Sequence, residues 1–380
     1  MKKVKLIGAY RGFFQDLLSQ NYSNFEFFVN KKKKFEVANV HKEKISRFLN
    51  KSIFDFLGFF TTMKVSTEEN KEFDIFVTYN RFIKNSIRPY YIVLENPTAL
   101  INYSGTRMNS RITKKRLKKY FFDDNLLGVI CISDACFKGF SNYYSPEIYD
   151  ENKIKQLYPL IKNDMSLIET TYDNLECLFI SSNFTLKGGR DLLQVFDNLK
   201  NKGFNNIKLT VITKLSSLGE DLNKGLDSNP NIKLRDFSFS RDELYTIYRE
   251  HHVFLNPTRM DSFSLVTLEA IKHGLLVIST DIYAIPEMVL NHENGYLVSP
   301  KFEVWNKDFT LNLNVKNYPK QTYESDYVDS SIVSFIEEKL IYLLKNTDLL
   351  TYYRQKSKNI SQNCRFSSEC IKKEWEKLME

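Results

Sequence analysis

A chain of 380 residues, 42% hydrophobic and 14% aromatic, is long enough for two α/β cores and has the composition of an ordinary folded protein. No apolar run approaches the roughly 20 residues that span a bilayer, and the start MKKVKLIGAY, followed by Arg11, lacks the long apolar segment of a signal peptide. The expected residence is cytoplasmic. The net charge of +8 belongs to the amino-terminal half: residues 1–170 hold 28 Lys and Arg against 18 Asp and Glu, the remainder 26 against 28. That half is expected to meet an anionic partner, with a solvated basic face as the alternative.

In chain order, residues 4–10 form a compact apolar run, 13–20 have helical spacing, and 25–30 are strand-like. Residues 44–63 read as a helix, and 73–80, 90–96 and 128–133 as further strands. Short apolar strands separated by helices predict a parallel sheet covered on both faces. A polar stretch at 161–174 marks the switch between halves. Beyond it, strands are predicted at 177–182, 207–213, 232–237, 253–256, 275–280 and 296–298, and helices at 188–202, 241–250, 265–273 and 332–345. This alternation is the doubly wound pattern. Cys131, Cys136, Cys177, Cys364 and Cys370 are odd in number and scattered, so all five are expected as reduced thiols, with neither a disulfide framework nor a metal site.

The chemistry concentrates in residues 254–300, FLNPTRMDSFSLVTLEAIKHGLLVISTDIYAIPEMVLNHENGYLVSP. Asp261 lies in the loop before a helix and Glu269 one and a half turns into it. Ser264 is the expected N-cap, its hydroxyl accepting from a first-turn amide. The amides of Leu265, Val266 and Thr267 would then point outward at the positive end of the helix, which suits a diphosphate. Each carboxylate can accept two hydroxyl hydrogen bonds, as a sugar and a ribose require.

The block resembles the signature of the retaining glycosyltransferases of family 4: E-G-F-G-L-x-x-x-E-A, then G-x-P-V-I-A-T, P-E and N-G. Here the chain reads D-S-F-S-L-V-T-L-E-A, G-L-L-V-I-S-T, Pro286-Glu287 and Asn294-Gly295. The resemblance implies that Glu269 binds the donor ribose, that Asp261 touches the donor sugar, and that Phe263, Ser264 and Leu265 face sugar and phosphate. Asp261 stands for the usual Glu, and Ser262 and Ser264 for glycines, so any positive-φ requirement there is expected to be mild. Residues 177–196, CLFISSNFTLKGGRDLLQVF, are similar to the family's R-x-x-x-x-K-G element. Lys187 matches its lysine, Ser182 replaces its arginine, Asn183 follows in the same loop, and Arg190 is a candidate substitute cation. The 237–240 loop corresponds to the nucleobase wall, with Phe239 a candidate stacking residue or else a core phenylalanine.

On the amino-terminal side the resemblance implies acceptor binding. Gly12 stands nearest the family's glycine pair, with Arg11 beside it, and Glu95 occupies roughly the place of the family's histidine. Residues 111–122, RITKKRLKKYFF, form a basic amphipathic pattern running from Arg111 through Lys114, Lys115 and Lys118 to Lys119, suited to anionic lipid on the inner face of the cell membrane. No nucleic-acid reading motif accompanies it.

The expected architecture is thus GT-B, α/β throughout: a Rossmann-like acceptor domain at 1–165, a Rossmann-like donor domain at 166–355, both facing a cleft, and a helix at 356–380 returning to the first domain. The implied activity is transfer of a sugar, with retention, from a nucleoside diphosphate sugar (a UDP-sugar foremost) to a hydroxyl of a glycan or lipid-linked acceptor in bacterial cell-surface polysaccharide or glycoconjugate synthesis. Catalytic candidates are Asp261, Glu269, Lys187 and Glu95, with no essential metal or cofactor. A GT-B sugar-nucleotide epimerase and a non-catalytic GT-B scaffold remain alternative readings.

Overall fold

The computed structural model describes residues 1–8, 12–29, 59–168 and 172–380. It divides into two compact units. The first comprises Met1–Leu160, Asn306–Leu311 and Cys364–Glu380; the second comprises Ile161–Trp305 and Asn312–Asn363. Each is a six-stranded, wholly parallel sheet flanked by helices, the α/β architecture expected.

In the first unit, β1 (Lys2–Ile7), β2 (Phe25–Val29), β4 (Ile75–Tyr79), β6 (Tyr90–Leu94), β7 (Leu126–Cys131) and β8 (Ile154–Gln156) are ordered β2-β1-β4-β6-β7-β8. The central strands are buried on both faces, which is why they read as continuous apolar runs rather than alternating ones. A short ladder of β3 (Thr62–Met63) and β5 (Phe82–Ile83) lies apart. Part of the expected 44–63 helix lies outside the described residues, and its last two residues are strand instead. The Ser368–Met379 helix packs here: Trp375 meets Phe27 edge-on, and the Tyr91 hydroxyl donates to the Leu378 carbonyl at 2.7 Å. Residues 356–362, expected with that closing helix, belong instead to the Thr347–Gln362 helix of the second unit. Cys364, just before the closing helix, and Cys370, in its first turn, form a disulfide. This corrects the expectation of five reduced thiols; Cys131, Cys136 and Cys177 are buried outside any disulfide.

The second unit is ordered β11-β10-β9-β12-β13-β14, with β9 Leu175–Ser181, β10 Ile207–Thr213, β11 Ile232–Asp236, β12 Val253–Asn256, β13 Leu276–Thr280 and β14 Gly295–Val298. Alternate residues such as Cys177, Phe179, Leu209, Val211 and Leu255 form one core with Leu192, Val195, Phe196 and Leu199 of the Gly189–Asn201 helix. On the Leu265–Lys272 helix, Leu268 and Ile271 are fully buried, and the Lys272 ammonium donates to the Ser361 carbonyl of the Thr347–Gln362 helix. The strand order reverses between β9 and β12. Such a switch point opens a crevice at the carboxyl ends of the strands, where ligands of open α/β sheets bind.

Candidate functional site

The loops after β9 and β12 emerge side by side at that switch point and are tied together. Gly188 has φ +78°, and a Cβ there would lie 2.0 Å from the Pro257 carbonyl oxygen, so only glycine allows this approach. The Arg259 amide donates to the Leu186 carbonyl at 3.0 Å, and its fully buried guanidinium pairs with Asp191 at 3.1 Å. With the two loops in register, the Lys187 ammonium reaches Asp261 Oδ2 at 2.6 Å and the Met260 carbonyl at 2.8 Å.

Asp261 is held on every side. Its Oδ1 accepts from the amides of Ser262 (2.9 Å) and Ser264 (3.1 Å), and its carbonyl accepts from the Trp305 indole N–H at 2.9 Å. Behind it Tyr283, itself at φ +48°, packs against Trp305 with ring centres 4.3 Å apart. The carboxylate thus organises the loop that precedes the helix while presenting a charge paired to Lys187.

Ser264 departs from expectation twice. Its backbone is left-handed, φ +65°, ψ +70°, so the position filled by glycine in the resembling signature does demand positive φ, a cost of roughly 1–2 kcal/mol for a side-chain-bearing residue. Nor does its hydroxyl cap the helix. It joins a buried triangle in which Asn256 Nδ2 donates to Ser264 Oγ and Thr267 Oγ1, both at 3.0 Å, and the two hydroxyls lie 2.9 Å apart. The Thr267 amide turns inward to the Ser264 carbonyl at 3.0 Å, leaving Leu265 and Val266 as the amides to consider for an anion.

Glu269 is 3% exposed, and both oxygens accept. Arg241 Nη1 donates to Oε1 at 2.5 Å and the Tyr248 hydroxyl to Oε2 at 3.0 Å. Burial first, and then the Glu269 charge, push the Tyr248 phenol well above its ordinary pKa, so it stays a donor. Arg241 escaped the reading of the sequence. A signal was present: it is the first residue of the Arg241–Arg249 helix, where the positive helix end disfavours a cation, and Asp242 and Glu243 follow as that end prefers.

The remaining candidates disperse. Ser182 and Asn183 are exposed; the Asn183 side chain accepts from the Leu186 amide at 3.2 Å, shaping the Lys187 loop. Phe263 is buried beneath the Asp261 loop, and Leu265 opens the helix half-buried. Phe239 is half-buried, with the Arg235 guanidinium 4.5 Å from its ring centre. Arg190 pairs with Asp326 at 2.7 Å. In the first unit, Gly12 precedes the Phe13–Leu18 helix with helical φ of −53°, while Arg11 lies outside the described residues. Glu95 sits just past β6, its oxygens accepting from the hydroxyls of Tyr79 and Tyr103, both at 2.6 Å. Asn80, Asn102 and Tyr103 around it are left-handed, with φ between 55° and 58°.

The basic pattern of 111–122 forms the Arg111–Phe121 helix, capped by Ser110. Thr113, Leu117 and Phe121 are buried at helical spacing. Arg111, Lys115, Arg116, Lys118 and Lys119 are exposed, together with Ile112 and Phe122, while Lys114 is half-buried. Among the described residues no helix is long and apolar enough to cross a membrane.

Residues 175–305, the span containing these loops, match the family described as glycosyl transferases group 1. The capsular polysaccharide biosynthesis glycosyltransferase CapM of Staphylococcus aureus is 26% identical over 210 residues, 52% of this chain and 52% of its own length. The chain spans about half the length of the curated relatives it matches. Among solved structures, WaaG, a glycosyltransferase involved in lipopolysaccharide biosynthesis, superposes with a TM-score of 0.60 at 12% identity, covering 99% of both chains. HepE of Anabaena, solved in complex with UDP, gives a TM-score of 0.58 at 12% identity over 99% of both chains. Residues 175–305 thus match the glycosyl transferases group 1 family, and the two parallel-sheet units carry the GT-B fold.

Proposed function

We propose that the chain is a glycosyltransferase that moves a sugar from a nucleoside diphosphate sugar to a hydroxyl of a glycan or lipid-linked acceptor in cell-surface polysaccharide or glycoconjugate synthesis. One observation carries the reading. Lys187 is paired with Asp261 in the loops after β9 and β12, and the Leu265–Lys272 helix that starts there carries Glu269: a cation beside one acid, a helix start, then a second acid. A sugar nucleotide has the same order: sugar, diphosphate, ribose. Asp261 meets the sugar, Lys187 with the Leu265 and Val266 amides meets the diphosphate, and Glu269 accepts from the ribose hydroxyls. Phe239, in the loop after β11, offers a face to the base.

In transfer, the bond from the anomeric carbon to the diphosphate oxygen breaks, the electron pair leaves with the diphosphate, and an acceptor hydroxyl attacks, its proton passing to the departing diphosphate oxygen. Lys187 gains as charge develops on the leaving oxygen, and that gain offsets the loosening of its bond to Asp261. Retention is the family-like outcome, and Glu95, set among phenols in the first unit, is the acceptor-side candidate. UDP is the favoured carrier because HepE was solved with it. The exposed cations of the Arg111–Phe121 helix, flanked by Ile112 and Phe122, suit the anionic inner face of a cell membrane.

Thermal unfolding of the full chain with UDP- and GDP-sugars tests the donor reading. One nucleotide sugar is expected to raise Tm, and Glu269→Ala to abolish the rise while the protein stays folded. A rise undiminished in Glu269→Ala refutes the ribose role. Co-sedimentation with phosphatidylglycerol vesicles tests the lipid reading, which fails if combined charge reversal of Lys114, Lys115 and Lys118 leaves binding unchanged.

A further inference from the structure

Two residues of one helix grip one carboxylate. Arg241 and Tyr248 lie seven positions apart on the same face of the Arg241–Arg249 helix and take separate oxygens of Glu269. The Arg241 side chain is only 17% exposed, and its guanidinium also lies 4.8 Å from the Tyr245 ring centre. Its place is costly in two ways: a cation at the positive end of a helix, and a long side chain drawn out of water. Nothing in the helix itself demands it, because the capping box of Ser240 and Glu243 already satisfies that end.

The geometry does something for Glu269. The last torsion of a glutamate side chain is broad, so an unclasped carboxylate samples many planes. Each carboxylate oxygen carries two in-plane lone pairs. With one on each oxygen engaged, the plane is set and one acceptor direction remains on each. That leftover pair matches two donors on adjacent carbons.

We propose that Arg241 is a positioning residue of the donor site, fixing the Glu269 carboxylate so that it reads the vicinal 2′,3′-diol of a ribonucleoside diphosphate. The inference rests on Glu269 as the ribose acid. The competing account is an ion pair that only clamps two helices. The two differ in what they couple to: a clamp supports every ligand equally, whereas a positioned carboxylate supports only ligands that carry both hydroxyls.

Calorimetric titration of the full chain with UDP and GDP, each beside its 2′-deoxy and 3′-deoxy counterparts, separates them. The wild type is expected to prefer the ribonucleotide about tenfold or more, the worth of a charge-assisted hydrogen bond. Arg241→Gln is expected to weaken the ribonucleotide about tenfold and the deoxynucleotides less than about threefold, so the preference collapses. Arg241→Lys, which keeps the charge without the planar fork, should recover part of it. If Arg241→Gln does not fold, Arg241→Lys and Tyr248→Phe carry the same comparison, and an unchanged preference in both overturns the proposal. Equal weakening of all nucleotides by Arg241→Gln, or a preference as large as in the wild type, also overturns it. A folded wild type that shows no ribose preference, or binds neither diphosphate, removes the ribose reading of Glu269 and the proposal with it.

Discussion

The two units repeat one architecture and fill it with different chemistry. At the carboxyl ends of the second unit's strands, charges are paired with charges: Lys187 with Asp261, Arg241 with Glu269, Arg259 with Asp191. In the first unit the carboxylate of Glu95 is held by phenol hydroxyls, among three left-handed residues. An anionic leaving group needs opposing charge already in place. A neutral hydroxyl needs hydrogen-bond partners of fixed direction. The contrast is what a donor site and an acceptor site would require, and it can be broken.

The sharpest test sets Glu269→Gln against Glu95→Gln. Glu269→Gln should cut donor affinity and transfer by about a hundredfold, since it also strands Arg241 without its counter-charge. Glu95→Gln should leave nucleotide binding within about twofold and lower only transfer to acceptor. Equal loss of donor binding in both variants would erase the distinction. Next in size, Gly188→Ala should destabilise the chain by about 3 kcal/mol in urea unfolding, because φ +78° and the Pro257 carbonyl both oppose a Cβ. Gly12→Ala in the first unit, at ordinary helical φ, should cost under about 1 kcal/mol.

Acid should separate the units as well. His251, His252, His273 and His292 all lie in the second unit. Burial lowers the pKa of His252 to about 3 and of His273 to about 4. Both stay neutral in the fold while the unfolded chain takes up protons below about 6.5, so their contribution is whole above that pH. It is lost as pH falls toward 4 and then 3, at about 1.4 kcal/mol per pH unit for each histidine. Urea titrations from pH 7 to 4 should therefore show falling stability, with a shallower slope in His273→Gln. An unchanged slope would show that burial there does not govern its proton. On the donor side a small effect is expected of Trp305→Phe, which removes the donor to the Asp261 carbonyl. A loss of about 1 kcal/mol should appear in donor KM with kcat nearly preserved. A fall in kcat alone would mean that the indole acts on the transition state instead.

How far the site could be read in advance differs between its parts for local reasons. The second unit's strands and helices are short, apolar and well punctuated, and Lys187, Asp261 and Glu269 stand in a recognisable order along the chain. Ser264 misled because serine at a signature glycine argues against positive φ. Its left-handed backbone is held by Asn256 and Thr267, partners visible only once β12 and the following helix are folded against each other. Arg241 went unread, since a cation at a helix start shows only a local misfit and not the carboxylate it meets. The Cys364–Cys370 disulfide went unread because two cysteines in a scattered odd set carry no pairing signal.

The order of residues alone thus placed the second unit's six strands and several of its helices, since buried parallel strands and amphipathic helices write their periodicity into neighbouring positions. It also determined which side chains carry charge beside glycines and helix starts. Only the tertiary structure decided which charges meet. Pairings such as Lys187 with Asp261 and Arg241 with Glu269 join residues 74 and 28 positions apart. Contact over such separations follows from strand order and loop packing, which no local pattern records.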